Sequence, residues 1–275
     1  MDEESRIKTI GGGSLLIAWQ LKDRNVVIVG GGEIASQRIE SILTADANIK
    51  LISPATGLHT RTRQFLELRE DRLVYVNKEY SGPDDLEGAD MVLTAIDDHE
   101  VSKSIVAECR RRRVPVNAAD IPDLCDFYFG AQVRDGPLQI MISTNGNGPR
   151  LASLIKSQLR DALTGKEGEA IEKVGQLRAK LKERAPGVGG KLGRERMKWM
   201  SAICNNWSIE ELASLDDRAM DNLLDEGWEK DMKVPQPTRT FKGKPSNLLQ
   251  QITPAIAFLA GAAVATLITL VKRRK

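Results

Sequence analysis

The sequence predicts an α/β chain. It has an N-terminal parallel sheet, a central β region, a helical C-terminal domain and a C-terminal transmembrane helix. Three observations carry this. Short apolar runs alternate with helix-period segments from Asn25 to Asn117. The alternation gives way to two adjacent strand patterns between Phe127 and Ser143, and everything from Pro149 to Trp228 is helix-periodic. At the end, 252–271 (ITPAIAFLAGAAVATLITLV) is uncharged and long enough to cross a hydrocarbon core of roughly 30 Å.

The elements follow in order. Asn25–Val29 (NVVIV) reads as a strand buried on both faces. Gly30-Gly31-Gly32-Glu33-Ile34-Ala35 opens a helix that continues through Ile39, Ile42 and Leu43. Ile49–Ser53 is a strand closed by Pro54, Thr62–Leu68 a helix, and Leu73–Val76 and Met91–Ile96 strands. Asp97 or Asp98 caps the next helix, which ends in Arg110–Arg113, and Val114–Asn117 is the last strand of the sheet. Phe127–Val133 and Leu138–Ser143 form an antiparallel pair about the turn Arg134-Asp135-Gly136-Pro137. Helices follow at Leu151–Leu163, Glu167–Arg184 and Arg194–Asn206. A fourth begins at a Ser208/Glu211 capping box, and a fifth begins at Asp216 or Asp217 and ends near Trp228. The expected domains are thus 1–117, 118–148 and 149–232, then a linker at 233–251 and the apolar tail at 252–271.

Composition excludes several function classes. The chain has 275 residues, 41% hydrophobic and 28% charged, as in ordinary globular proteins. The net charge of +2 comes from its last four residues, Lys272–Lys275; without them 36 basic residues (40 less those four) face 38 acidic ones. No nucleic-acid footprint is present. Cys109, Cys125 and Cys204 are odd in number and form no paired motif, which argues against a disulfide framework and fits a reducing compartment. His59 and His99 lack metal-pair spacing, so no metal site is expected. The apolar tail with basic residues after it reads as a membrane anchor that leaves the body facing the cytosol, with no organelle specified.

The turn Gly30-x-Gly32-x-x-Ala35 follows a strand and opens a helix, as in a Rossmann-type dinucleotide site. The first glycine permits the turn, the second lets a pyrophosphate approach, and the small third residue packs helix on strand. Glu33 and Ile34 occupy the helix start, where amides face the phosphates. Ser53 and Pro54 stand where an acidic residue would bind the ribose, so no carboxylate selects NAD over NADP. Ala95 and Asp97 end the fourth strand near the expected cofactor; Asp97 is equally a helix cap. Asp120, past the strand end at Asn117, is either an acid/base carboxylate or a turn aspartate bonded to its own backbone. Ser143, Thr144, Asn145 and Gly146 end a strand, and Pro149 and Arg150 start a helix. This corner either holds a carboxylate or is a plain loop.

GGGEIA after VVIV, LISP, NAADIPDLCDFYFGA and ISTNGNGPRLASLIK together resemble the fungal siroheme-synthesis enzymes, bifunctional precorrin-2 dehydrogenases and sirohydrochlorin ferrochelatases. The resemblance covers roughly residues 15–230, and 117–155 is its most specific part. It implies an NAD-binding domain, a central dimerisation region and a helical domain. It also implies oxidation of precorrin-2 to sirohydrochlorin with NAD, then insertion of ferrous iron, a substrate, to give siroheme for sulfite reduction and methionine biosynthesis. The family's essential aspartate, in Asn-x-x-Asp, falls on Asp120, with Asn117 opening the motif. The many carboxylates of the tetrapyrrole would suit the 143–150 corner. Asn147-Gly148-Pro149 departs from the family's small hydroxyl residue before that proline, and an anchor is not a general family feature. A homodimer is implied, and the exposed edge of the Phe127–Ser143 strands would need such cover. Two alternatives stand beside this reading: a dehydrogenase with a separate chelatase, and a membrane-tethered dinucleotide sensor. The sensor leaves Asp120 and the corner unexplained.

Overall fold

The computed structural model describes residues 13–236. Five strands form one parallel sheet: β1 (Asn25–Val29), β2 (Asn48–Ile52), β3 (Leu73–Val76), β4 (Met91–Thr94) and β5 (Val116–Ala118), in the order β3-β2-β1-β4-β5. The chain winds outward from β1 to β3 and returns to β4 on the other side of β1. The topological switch therefore lies between β1 and β4, where open α/β sheets bind ligands. Helices α1 (Glu33–Leu43), α2 (Thr60–Leu68) and α3 (His99–Arg112) make the crossovers.

The apolar runs form strands because both faces are covered. Val26 and Ile28 face a core with Ile39, Ile42, Ile49, Leu51 and Leu93 on one side. Val27 and Val29 face Ile52, Val92, Ile105 and Val116 on the other. Each such fully buried aliphatic side chain contributes about 1.5–3 kcal/mol relative to exposure. Asp98 caps α3, accepting from the N–H groups of Glu100 and Val101 at 2.9 and 3.0 Å. Arg113 ends that helix in the left-handed region at φ 59°.

Cα packing divides the chain into two compact units. Among the described residues, one comprises 13–130 and Ser143–Gly148, the other Ala131–Ile142 and 149–236. The second unit contains the antiparallel ribbon β6 (Ala131–Asp135) and β7 (Leu138–Ile142), then α4 (Pro149–Ala162), α5 (Glu167–Arg184), α6 (Gly190–Asn206), α7 (Ile209–Ala213) and α8 (Asp217–Leu223). A π-helical turn, Leu224–Trp228, completes it. Its core is Leu177, Leu181, Trp199, Ile203, Met220 and Leu224. The Ser208/Glu211 capping box forms as expected, and Asp216 rather than Asp217 caps α8. Gly168 lets α5 meet the ribbon: its N–H donates to Asp135 Oδ2 at 2.8 Å, and a Cβ there would lie 2.2 Å from Asp135 O.

Several boundaries differ from expectation. β6 starts at Ala131, not Phe127, because Phe127 and Phe129 pack on the core of the first unit and the carbonyl of Phe127 accepts from Asn117 Nδ2 at 2.8 Å. α6 starts at Gly190, four residues before Arg194. The expected linker begins as packed chain: the indoles of Trp199 and Trp207 donate to the carbonyls of Lys233 and Pro235 at 2.9 and 3.0 Å.

The expected C-terminal transmembrane helix is corrected. Among the described residues no helix is long and apolar enough to cross a membrane. The longest, α5, is an 18-residue helix charged along its length at Glu167, Glu172, Lys180 and Arg184. The 252–271 run lies outside the described residues. The tail anchor, and the membrane-anchored, cytosol-facing placement built on it, are therefore withdrawn.

Candidate active site

The Gly30 turn sits at the topological switch. Gly30 has φ 107°, and a Cβ there would lie 2.1 Å from the carbonyl oxygen of Ala95, at the end of β4. Only glycine allows β1 to turn this close to its neighbour. A Cβ on Gly31 would meet Leu58 Cδ2 at 2.6 Å and Ser53 Oγ at 2.7 Å, so the turn is packed from below. Above Gly32 the space is open: a Cβ there would meet nothing within 4 Å among the described residues. Among the described residues no side chain caps α1 at Gly32, and its first residues, Glu33 and Ile34, are exposed, whereas Ala35 is buried against the sheet. An open cradle beneath uncapped helix amides fits a pyrophosphate.

The other expected cofactor residues divide. Asp97 is exposed and takes no hydrogen bond among the described residues, since Asp98 does the capping. Ser53 is buried, and its hydroxyl donates to the carbonyl of Pro54 at 3.2 Å.

Asp120 lies two residues beyond β5, on the same carboxyl edge of the sheet. The N–H of Ala119 donates to Thr94 O at 2.9 Å, which ties this loop to the end of β4. Asp120 has φ 60°, is exposed, and makes no hydrogen bond among the described residues. It is therefore not a turn aspartate bonded to its own backbone. Its neighbours are committed: Asp126 accepts from the N–H of Val116 at 3.0 Å, and Asp123 lies in the 3-10 turn Pro122–Leu124.

The loop carrying Asp120 is closed by Cys125. Its thiol donates to Ala118 O at 3.0 Å and accepts from the N–H of Ala118 and from Asn117 Nδ2, both at 3.3 Å. Burial pushes this thiol up from its ordinary value. Asn117 is itself buried, with its Oδ1 left without a partner among the described residues.

Sequence reasoning missed Arg38, on α1. Its guanidinium lies 4.0 Å from the Phe129 ring centroid, and Phe129 leans on Phe127, which in turn meets Trp19 edge-on. Burial lowers the Arg38 pKa, and the acidic groups of Cys125 and Asp120 oppose that fall. A cation thus faces the Asp120 loop, held by an aromatic ladder. The only sequence signal was an arginine beside the buried helix face; its partner Phe129 is remote in the chain.

The corner at 143–148 is a self-bonded turn. The N–H of Asn145 donates to Ser143 Oγ at 3.1 Å, that of Asn147 to Thr144 O at 3.0 Å, and that of Gly148 to Thr144 Oγ1 at 3.2 Å. Asn145 and Gly146 take positive φ, 50° and 82°, to make it. These amides are satisfied within the loop. Pro149 and Arg150, both exposed, begin α4 in the other unit.

An NAD(P)-binding family model matches residues 17–131. Models of the sirohaem biosynthesis protein match its central part at 135–162 and its C-terminal part at 165–235. The chain is 45% identical over 213 residues to a siroheme biosynthesis protein of Schizosaccharomyces pombe, covering 78% of this chain and 79% of that protein. With the siroheme biosynthesis protein of Saccharomyces cerevisiae the identity is 31%, covering 77% and 89%. The siroheme synthase of Methylobacillus flagellatus is 32% identical over 62% of this chain, which spans only 36% of that longer protein. Among solved structures, SirC, precorrin-2 dehydrogenase, shares the fold with a TM-score of 0.56 at 23% identity, covering 77% of this chain and 94% of that one. The chain carries an NAD(P)-binding domain and belongs to the siroheme biosynthesis protein family.

Proposed function

We propose that this protein oxidises precorrin-2 to sirohydrochlorin with NAD, and then inserts ferrous iron to give siroheme, with Asp120 as general base in both steps. The observation that carries this is an uncommitted carboxylate at the ligand-binding edge of a dinucleotide-type sheet. The family membership and the dehydrogenase named among its structural relatives support it.

NAD, when bound, accepts the hydride. The chain's part is to hold and deprotonate. Gly30, Gly32 and Ala35 give the turn its shape, and the amides of Glu33 and Ile34 would receive the pyrophosphate. Ala95 and Asp97 border the crevice. Asp120 takes the proton that leaves the macrocycle as the hydride departs. In the second step two pyrrole N–H protons leave as iron enters, and Asp120 receives them in turn. The four ring nitrogens are the metal's ligands, so the protein needs no metal cluster of its own. Arg38 keeps a positive charge by the loop that carries Asp120. Arg150 is our candidate for the substrate's carboxylates. Exposed Met141, Leu151 and Leu154 on β7 and α4 support a homodimer through the second unit.

The test is anaerobic: precorrin-2 with NAD, followed by absorbance, and separately ferrous iron with supplied sirohydrochlorin and no NAD. Sirohydrochlorin in the first assay and siroheme in the second support both activities. Activity in the first alone leaves a dehydrogenase with a separate chelatase. Binding of NAD with no turnover of either tetrapyrrole removes the catalytic reading.

A further inference from the structure

We infer that the ribose end of the dinucleotide pocket admits a 2′-phosphate and that Arg63 recognises it, so that the protein binds NADP as well as NAD. The inference rests on the dinucleotide reading of the Gly30 turn. An NAD-selective site places a carboxylate at the end of β2 to accept both ribose hydroxyls and repel a phosphate. Here β2 ends at Ile52, and Ser53-Pro54-Ala55 follow.

The oxygens of this loop are already engaged. Ser53 O accepts from Tyr75 Oη at 3.0 Å, and Pro54 O from the N–H of Gly57 at 3.0 Å. Asn77 Oδ1 accepts from the N–H of Ala55 at 2.8 Å and from Tyr75 Oη at 3.3 Å. Ala55 O accepts from Arg63 Nη2 at 2.8 Å. That last bond sets an exposed guanidinium against the loop. Arg63 has no carboxylate partner among the described residues, whereas its neighbour Arg61 is tied to Glu40 at 2.5 Å. The end of β2 therefore offers engaged acceptors and a cation with donors to spare. That balance suits a phosphate, which a guanidinium binds through paired N–H groups, better than two hydroxyl donors.

The experiment is calorimetric titration of the full chain with NAD and with NADP, for the parent and Arg63→Met. The expected result is an NADP Kd within about tenfold of the NAD Kd in the parent. Arg63→Met should then weaken NADP by roughly tenfold or more and NAD by less than about twofold, NAD binding serving as the control for folding. NADP binding more than about a hundredfold weaker than NAD in the parent overturns the inference. Equal weakening of both cofactors overturns the role of Arg63. Binding of neither cofactor removes the dinucleotide site itself and the inference with it, an outcome distinct from binding of NAD alone.

Discussion

Gly30→Ala and Gly32→Ala should separate the two duties of the glycine turn. At Gly30 an added Cβ would lie 2.1 Å from Ala95 O and 2.7 Å from Ala95 C, where ordinary contact begins at 3.4 Å. The atoms it meets are backbone, and the N–H of Ala95 is itself bonded to Val29 O at 2.8 Å. The ends of β1 and β4 must therefore part. The φ of 107° adds strain that an alanine cannot avoid. Such a backbone conformation costs about 1–3 kcal/mol. Overpacking adds about 1–3 kcal/mol more. A loss of roughly 2–6 kcal/mol is large against a total of about 5–15 kcal/mol. Gly32 has φ −70°, and its Cβ would meet nothing within 4 Å among the described residues. Gly32→Ala should therefore change stability by less than about 1 kcal/mol. Its methyl group would, however, occupy the space a pyrophosphate needs, and NAD affinity should fall about tenfold or more. Urea midpoints and NAD titrations of both variants provide the assay. An unchanged midpoint for Gly30→Ala, or unchanged NAD binding for Gly32→Ala, would refute the reasoning.

Two further outcomes are expected. Gly168→Ala should destabilise the second unit by about 1–3 kcal/mol through overpacking, because its Cβ would lie 2.2 Å from Asp135 O; the fluorescence of Trp199 and Trp228 on urea unfolding would report it. Glu108 is held by Arg111 and Arg112, which lower its pKa from 4.5 to about 2. The folded value is depressed, so its contribution is present above pH 4.5 and fades as pH falls toward 2. Glu108→Gln should accordingly lower the unfolding midpoint at pH 7, with the gap from the parent closing through that window; a gap independent of pH would contradict it.

The sheet was legible because its signals are local. NVVIV before a glycine turn, and apolar runs alternating with helix-period segments, each state their own structure. The Ser208/Glu211 capping box was legible for the same reason. What escaped depends on partners far along the chain. Phe127 and Phe129 have strand-forming character, yet the first core and Asn117 claim them before a ladder can form. Arg38 escaped because the ring it lies over, Phe129, is remote in the chain. Lys233 and Pro235 read as linker because their fixed carbonyls answer indoles more than a helix away. At the site, the position of Asp120 past a strand could be read, but its freedom from local bonds could not. At the 143–148 corner the sequence left a carboxylate site and a plain loop both open, and there Ser143 and Thr144 accept from amides of their own turn.

The measurement that bears most directly on the central claim is anaerobic turnover of precorrin-2 with NAD by the parent and by Asp120→Asn. Asparagine keeps the size of the side chain and removes only its capacity to take a proton. Asp120 is exposed and unbonded, so the variant should fold and bind NAD as the parent does. The expected result is sirohydrochlorin from the parent and a rate at least about a hundredfold lower from the variant. Equal rates from the two proteins would show that the proton goes elsewhere, and Asp120 would not be the base.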